Sequence, residues 1–188
     1  MKISLTRVCI PMRVSTYAVT LAVALLPRLV AAQGSPVADA LRDFNTSQSK
    51  NLTAAADMFP ADKYSYRPTP AQMSVAMIVK HLADGNDFFC SEIAGVTQPA
   101  RSKIDTTATK EALVTRLKET FDFCTASLAK VDDSKLSEQL KWFGGKTKTR
   151  AAVEMITAAD WADHYSQLAN YLRLNGMLPP TAKPKTAM

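Results

Sequence analysis

Four stretches of this 188-residue chain carry apolar residues three and four apart, and none alternates apolar with polar residues as a half-buried strand does. The first follows Pro36 through Val37, Leu41, Phe44, Leu52, Ala55 and Met58 and is stopped by Pro60. A second opens at the capping residue Ser74 and runs through Val75, Ile78, Val79, Leu82, Phe89 and Ile93 to Gly95, with Gly85 inside it at some cost in helix propensity. The third starts at Thr107 or Thr109, with Glu111 near its positive end, and continues through Leu113, Leu117, Phe121 and Leu128. A fourth spans about Thr149 to Leu174, closed by Asn175-Gly176 and barred from continuing by Pro179-Pro180. Such a pattern predicts an all-α four-helix bundle, antiparallel or linked by crossovers. Irregular connectors are expected in the proline-rich stretch from Pro60 to Gln72, in the polar loop 96–107, and between Asp132 and Gly145.

Residues 1–32 look like a signal peptide. Lys2, Arg7 and Arg13 precede an uncharged apolar run from Ser15 to Leu26, and Val30-Ala31-Ala32 supplies small residues before Gln33. The run is too short for a permanent membrane span, so the expectation is a cleaved leader and an exported protein, periplasmic or secreted. Pro27 and Arg28 beside the cleavage site leave an uncleaved anchor as the alternative. Residues 33–180 would form the bundle and 181–188 a disordered tail. All 17 acidic residues follow Gln33 while four basic ones leave with the leader, so the net charge falls from +6 to +2. Without a basic stripe, nucleic acid is not an expected partner. Once Cys9 leaves with the leader, Cys90 and Cys124 remain. In an oxidising compartment they are expected to form a disulfide if their helices are neighbours; the alternative is two separate buried thiols.

The chain has two histidines, both on helices beside core-spaced apolar residues. Ile78 and Met77 precede His81 by three and four, and Phe88 follows by seven. His164 extends a stripe made by Val153, Ile156, Leu168, Tyr171 and Leu172, and Asp160 lies on that stripe four residues before it. Residues four apart share a helix face, so Asp160 and His164 point the same way, which the stripe predicts to be inward. A buried carboxylate needs a partner, and a divalent metal held by His81, Asp160 and His164 would supply one while leaving open positions for chemistry. Spacing alone equally allows an intrahelical hydrogen bond and a satisfied core histidine. A Ser-His-Asp catalytic set would need these same histidines. Gly144-Gly145-Lys146-Thr147 lacks the earlier glycine and the strand of a phosphate loop.

Two blocks, DMFPADKYSYRPTPAQMSVAMIVKHLAD from Asp57 and ITAADWADHYSQLANYLRLNGMLPP from Ile156, resemble the DinB-like superfamily of damage-inducible four-helix proteins. The resemblance implies a divalent metal, commonly nickel or zinc, held by one histidine of the second helix and two of a final HxxxH. The first falls on His81 and the last on His164, while the middle one falls on Asp160, a departure that implies harder ions such as zinc, manganese or iron(II), or a site that has decayed. Thiol S-transferases and maleylpyruvate isomerase-like enzymes of this superfamily imply a thiolate nucleophile and a small electrophilic substrate. The alternative is a non-catalytic, stress-linked bundle. Tyr64, Tyr66 and Arg67 match the family connector and would line the pocket mouth or, as packing and a salt bridge, close the bundle end. Trp142 and Phe143 would cap the metal cavity or pack beneath a loop. Trp161 and Tyr165 read as core, and Asp84 and Asp163 as second-row partners of the ligands or solvated residues. An exposed apolar helix face would support a homodimer, though periodicity does not separate an interface from a core.

Overall fold

The computed structural model describes residues 34–182, so the expected leader and residues 183–188 of the expected tail lie outside the described residues. Four long helices carry the fold: α1 (Pro36–Met58), α2 (Val75–Ala94), α3 (Lys110–Leu128) and α4 (Arg150–Leu174). Side-chain caps set three of the starts, with Ser74, Thr109 and Thr149 accepting from the backbone N–H groups of Met77, Ala112 and Ala152. Gly95, at φ 64°, ends α2 in the left-handed conformation that glycine adopts without a Cβ clash.

Each of α1 and α2 is flanked by α3 and α4, so α1 and α2 face each other across a diagonal. Asn86 meets Thr120, and Cys90 meets Cys124, so α2 and α3 run in the same direction. By the same logic α1 opposes α3, where Asn45 meets Thr125 and Asp57 meets Lys110. Between α2 and α4, Tyr171 meets Met73 just before α2, His81 meets His164 and Gly85 lies beside Asp160, again an opposed arrangement. The step from α2 to its parallel neighbour α3 carries the chain back along the bundle, and the diagonal steps from α1 to α2 and from α3 to α4 cross a bundle end, so all three connectors are long.

Leu52, Phe59, Ile78, Leu82, Leu117, Phe121, Trp161 and Leu172 fill the centre. One polar network crosses it. Trp161 Nε1 donates to Asn86 Oδ1 at 2.7 Å, Asn86 Nδ2 donates to Thr120 Oγ1 at 3.2 Å, and the Thr120 hydroxyl donates to the Leu117 carbonyl at 2.9 Å. Three helices are thereby held in register by groups that would be costly to bury unpaired. The Cys90–Cys124 disulfide joins α2 to α3 with the Cα atoms 5.2 Å apart, the outcome that parallel neighbours permit.

The connectors are more regular than their sequences suggest. Gln139–Lys141 (β1) and Thr147–Thr149 (β2) form an antiparallel ribbon, Leu140 opposite Lys148, where an irregular connector is expected. Three-residue strands are too short to show alternation. The ribbon is anchored at its base, where Arg150 N–H donates to the Glu138 carbonyl at 2.8 Å and the two side chains form an ion pair. Upstream in the same connector, Asp133 accepts from the N–H groups of Val37 at 3.0 Å and Ala38 at 2.9 Å, capping α1 from across the fold. Arg101 ties loop 95–109 to α2 through a two-pronged bond to the Asp87 carboxylate, at 2.6 and 3.1 Å. After α4 a single 3-10 turn covers Pro180–Ala182, and Thr181 Oγ1 accepts from the Tyr165 hydroxyl at 2.8 Å.

Candidate metal centre

Opposed packing of α2 on α4 sets His81 across from His164, with Asp160 one turn before His164 on the same side. His81 Nε2 and His164 Nε2 each lie 3.4 Å from Asp160 Oδ1, and the ring centroids are 4.8 Å apart. One ligand atom from each residue falls within 4.8 Å of the others. The three residues named from the sequence therefore converge. Their setting differs from the expected inward one: the His164 side chain is 7% exposed, Asp160 21% and His81 49%, which makes a groove between two helices rather than a core pocket. The reason lies in α2, where Met77, 40% exposed, and His81 run along the margin of the apolar stripe while Ile78 and Leu82 take its centre.

Hydrogen bonds behind His164 decide which of its nitrogens faces the groove. Gln167 Nε2 donates to Asp163 Oδ2 at 2.7 Å, and since a carboxylate only accepts, this orients the amide so that Oε1 faces His164 Nδ1 at 3.3 Å. The proton of neutral His164 thus sits on Nδ1, and the bare lone pair of Nε2 points at the Asp160 carboxylate. Two acceptors 3.4 Å apart repel unless a cation or a proton lies between them, and His81 Nε2 meets the same carboxylate oxygen from the other side. A divalent ion with bonds of about 2.0–2.1 Å in tetrahedral geometry separates its ligands by about 3.4 Å, the distance each imidazole nitrogen keeps from Asp160 Oδ1, so the carboxylate and each histidine in turn suit such an ion. Zinc, nickel, manganese and iron(II) all accept imidazole with carboxylate. Without one, burial raises the Asp160 carboxyl, but hydrogen bonds from His164 and His81 outweigh it and hold the group at about 2. His81 is raised in turn, chiefly by its bond to Asp160.

Other singled-out residues take varied places. Tyr64 is buried, its hydroxyl donating to the Ala56 carbonyl at 2.9 Å, and Tyr66 meets Tyr171 edge to face. Arg67 donates to the Pro70 carbonyl at 3.2 Å within its own connector, a local bond in place of the expected salt bridge across the bundle end. Trp161 is fully buried, Tyr165 half-buried, and Asp84 pairs with Lys80. Trp142 and Phe143, at the tip of the ribbon, pack on Phe88 and Phe89 of α2. Sequence reasoning assigned no role to Gln167 or to Asn86. The first carries a usable signal, a polar residue three after His164 on the same face; the second, an asparagine on an apolar stripe, shows nothing of its partner Trp161.

Comparison with known proteins supports the fold independently. A model of the DinB superfamily matches residues 45–168. The chain is similar to the crystal structure of a DinB-like protein, YjoA, from Bacillus subtilis: 21% identity, TM-score 0.61, covering 78% of this chain and 99% of that one. No curated protein matches it. The family model spans most of the bundle and contains all three converging residues, so the chain belongs to the DinB superfamily.

Proposed function

We propose that His81, Asp160 and His164 hold one divalent cation and that the protein is a metal-dependent enzyme acting on a small electrophilic substrate, as a thiol transferase or a hydrolase. The observation that carries this reading is the convergence of donors: two imidazole nitrogens, one with its lone pair turned forward by Gln167, meet a single carboxylate oxygen in a groove open to solvent. A bound cation supplies Lewis acidity, which makes a thiol or water nucleophilic near neutral pH and polarises a substrate oxygen. The protein's own groups divide the remaining work. His164, locked from behind by Gln167 and Asp163, gives the site a rigid wall, and Asp160 Oδ1 spans the two histidines. Asp160 Oδ2 faces the groove floor at Gly85, where it can accept a hydrogen bond from an incoming nucleophile and orient it. Half-exposed His81 leaves the approach open on its side.

Export belongs to the same proposal. The leader-like segment supports it, and the Cys90–Cys124 disulfide suits an oxidising compartment. Purified protein beginning at Gln33, reconstituted separately with zinc, nickel, manganese and iron(II), is expected to retain about one equivalent of at least one ion, and His164→Ala to abolish retention. Less than a tenth of an equivalent for every ion would leave the non-catalytic bundle with an impaired site as the reading.

A further inference from the structure

Gly85 sits in the middle of α2, where glycine costs about 1 kcal/mol relative to alanine. Its φ is not positive, so the backbone does not demand it. A Cβ there would stand 3.4 Å from Phe89 Cε2 and 3.9 Å from Asp160 Oδ2, which is room for a methyl group and for little more. The missing side chain is therefore a notch in the groove floor, bounded on one side by an aromatic edge and on the other by a carboxylate of the candidate metal centre. Ring edge and carboxylate oxygen are within about 7 Å of each other, the two distances taken together.

The aromatic side of the notch extends into a wall. Phe89 stacks on Trp142 with centroids 5.8 Å apart and planes 16° apart, and Phe88 stacks on Phe143 at 4.6 Å and 24°. Gly144 and Gly145, at φ 68° and 73°, turn the ribbon tip so that Phe143 folds back onto α2. Lys148 covers Trp142 from 5.2 Å. Phe143 nonetheless leaves 57% of its surface in water, an exposed apolar face at the end of the aromatic run that begins with Phe89 beside the notch. The Asp160 carboxylate at the notch disfavours an anionic occupant there, whereas Asp84 is already paired with Lys80.

We propose that the notch at Gly85 and the Phe88–Phe89–Trp142–Phe143 wall bind an uncharged aryl group of the substrate, presenting its reactive atom to His81, Asp160 and His164. The last clause rests on the metal reading of the preceding section; ring binding itself does not require the metal, so the two fail separately. Gly85→Ala removes the notch while relieving a helix of its glycine, so it separates binding from folding.

The test titrates 4-nitrobenzyl alcohol into chelator-treated protein and follows quenching of tryptophan fluorescence, with nitromethane as collisional control and 4-nitrobenzoate as charged control. Saturable quenching is expected, weaker for the benzoate. Gly85→Ala is expected to raise Tm by about 2–4 °C while weakening the alcohol at least about fivefold, and Phe143→Ala to weaken it similarly. Non-saturable quenching like that of nitromethane, or an affinity unchanged in both variants, overturns the proposal. Failure to retain any cation overturns only the metal reading.

Discussion

Asp160→Asn removes one charge and keeps the side-chain shape, which makes it a direct probe of the centre's electrostatics. In metal-free protein the Asp160 carboxyl lies at about 2 against its usual 3.8, because the imidazoles of His164 and His81 outweigh the burial that would raise it. A displacement of nearly two pH units corresponds to about 2 kcal/mol of folding stability. The carboxyl is depressed, so this stabilisation is present above pH 3.8 and is lost as pH falls through about 2. His81 is displaced the other way, upward from 6.5 by the same carboxylate, so its share is present below pH 6.5 and is lost as pH rises through its folded value. Urea denaturation of chelator-treated protein should therefore show wild type ahead of the variant by about 2 kcal/mol near pH 5, with the gap narrowing towards both pH 2 and pH 8 and an unchanged m-value. A gap of the same size at pH 2, 5 and 8 would mean that the substitution acts through packing, and the coupled centre described here would be wrong.

Three other outcomes test separate parts of the structure. Cys90→Ala with Cys124→Ala opens a cross-link spanning 34 residues, for which chain entropy gives a loss of about 4 kcal/mol by urea denaturation; a loss below about 1 kcal/mol would show that the bond contributes little. Asn86→Leu leaves the Trp161 N–H and the Thr120 hydroxyl without their buried partner, a cost of about 1–3 kcal/mol in the same assay, and an unchanged midpoint would refute that network. Gln167→Ala frees the His164 ring, so competition against a chelator should show cation affinity about 10- to 100-fold lower while Tm moves little. Equal affinity in the variant would show that Gln167 does not set the tautomer.

Helix positions were legible because their signals are local. The caps Ser74, Thr109 and Thr149, the stop at Pro60 and the glycine at position 95 act within a few residues of themselves, and the 3.6-residue period shows which stripe each helix buries. The pairing of Asp160 with His164 was legible for the same reason, since four residues on one helix make neighbours in any fold. Periodicity does not, however, show where a stripe ends, and His81 at its margin is half exposed where a core position was expected. The β1–β2 ribbon was hidden because strands of three residues are defined by their partner and by the Arg150–Glu138 anchor.

The sequence by itself determined four amphipathic helices, long connectors, and three residues able to share a cation. Only the tertiary structure decided that α2 runs beside α3 in the same direction, which makes a disulfide of Cys90 and Cys124. It also decided that Asp133 caps a helix beginning almost a hundred residues earlier, that Gln167 selects the histidine nitrogen facing Asp160, and that Gly85 opens a notch beside it. Each of these depends on distances between segments far apart in the chain. Such distances follow from how apolar faces share one core, and the order of residues along any one helix does not contain them.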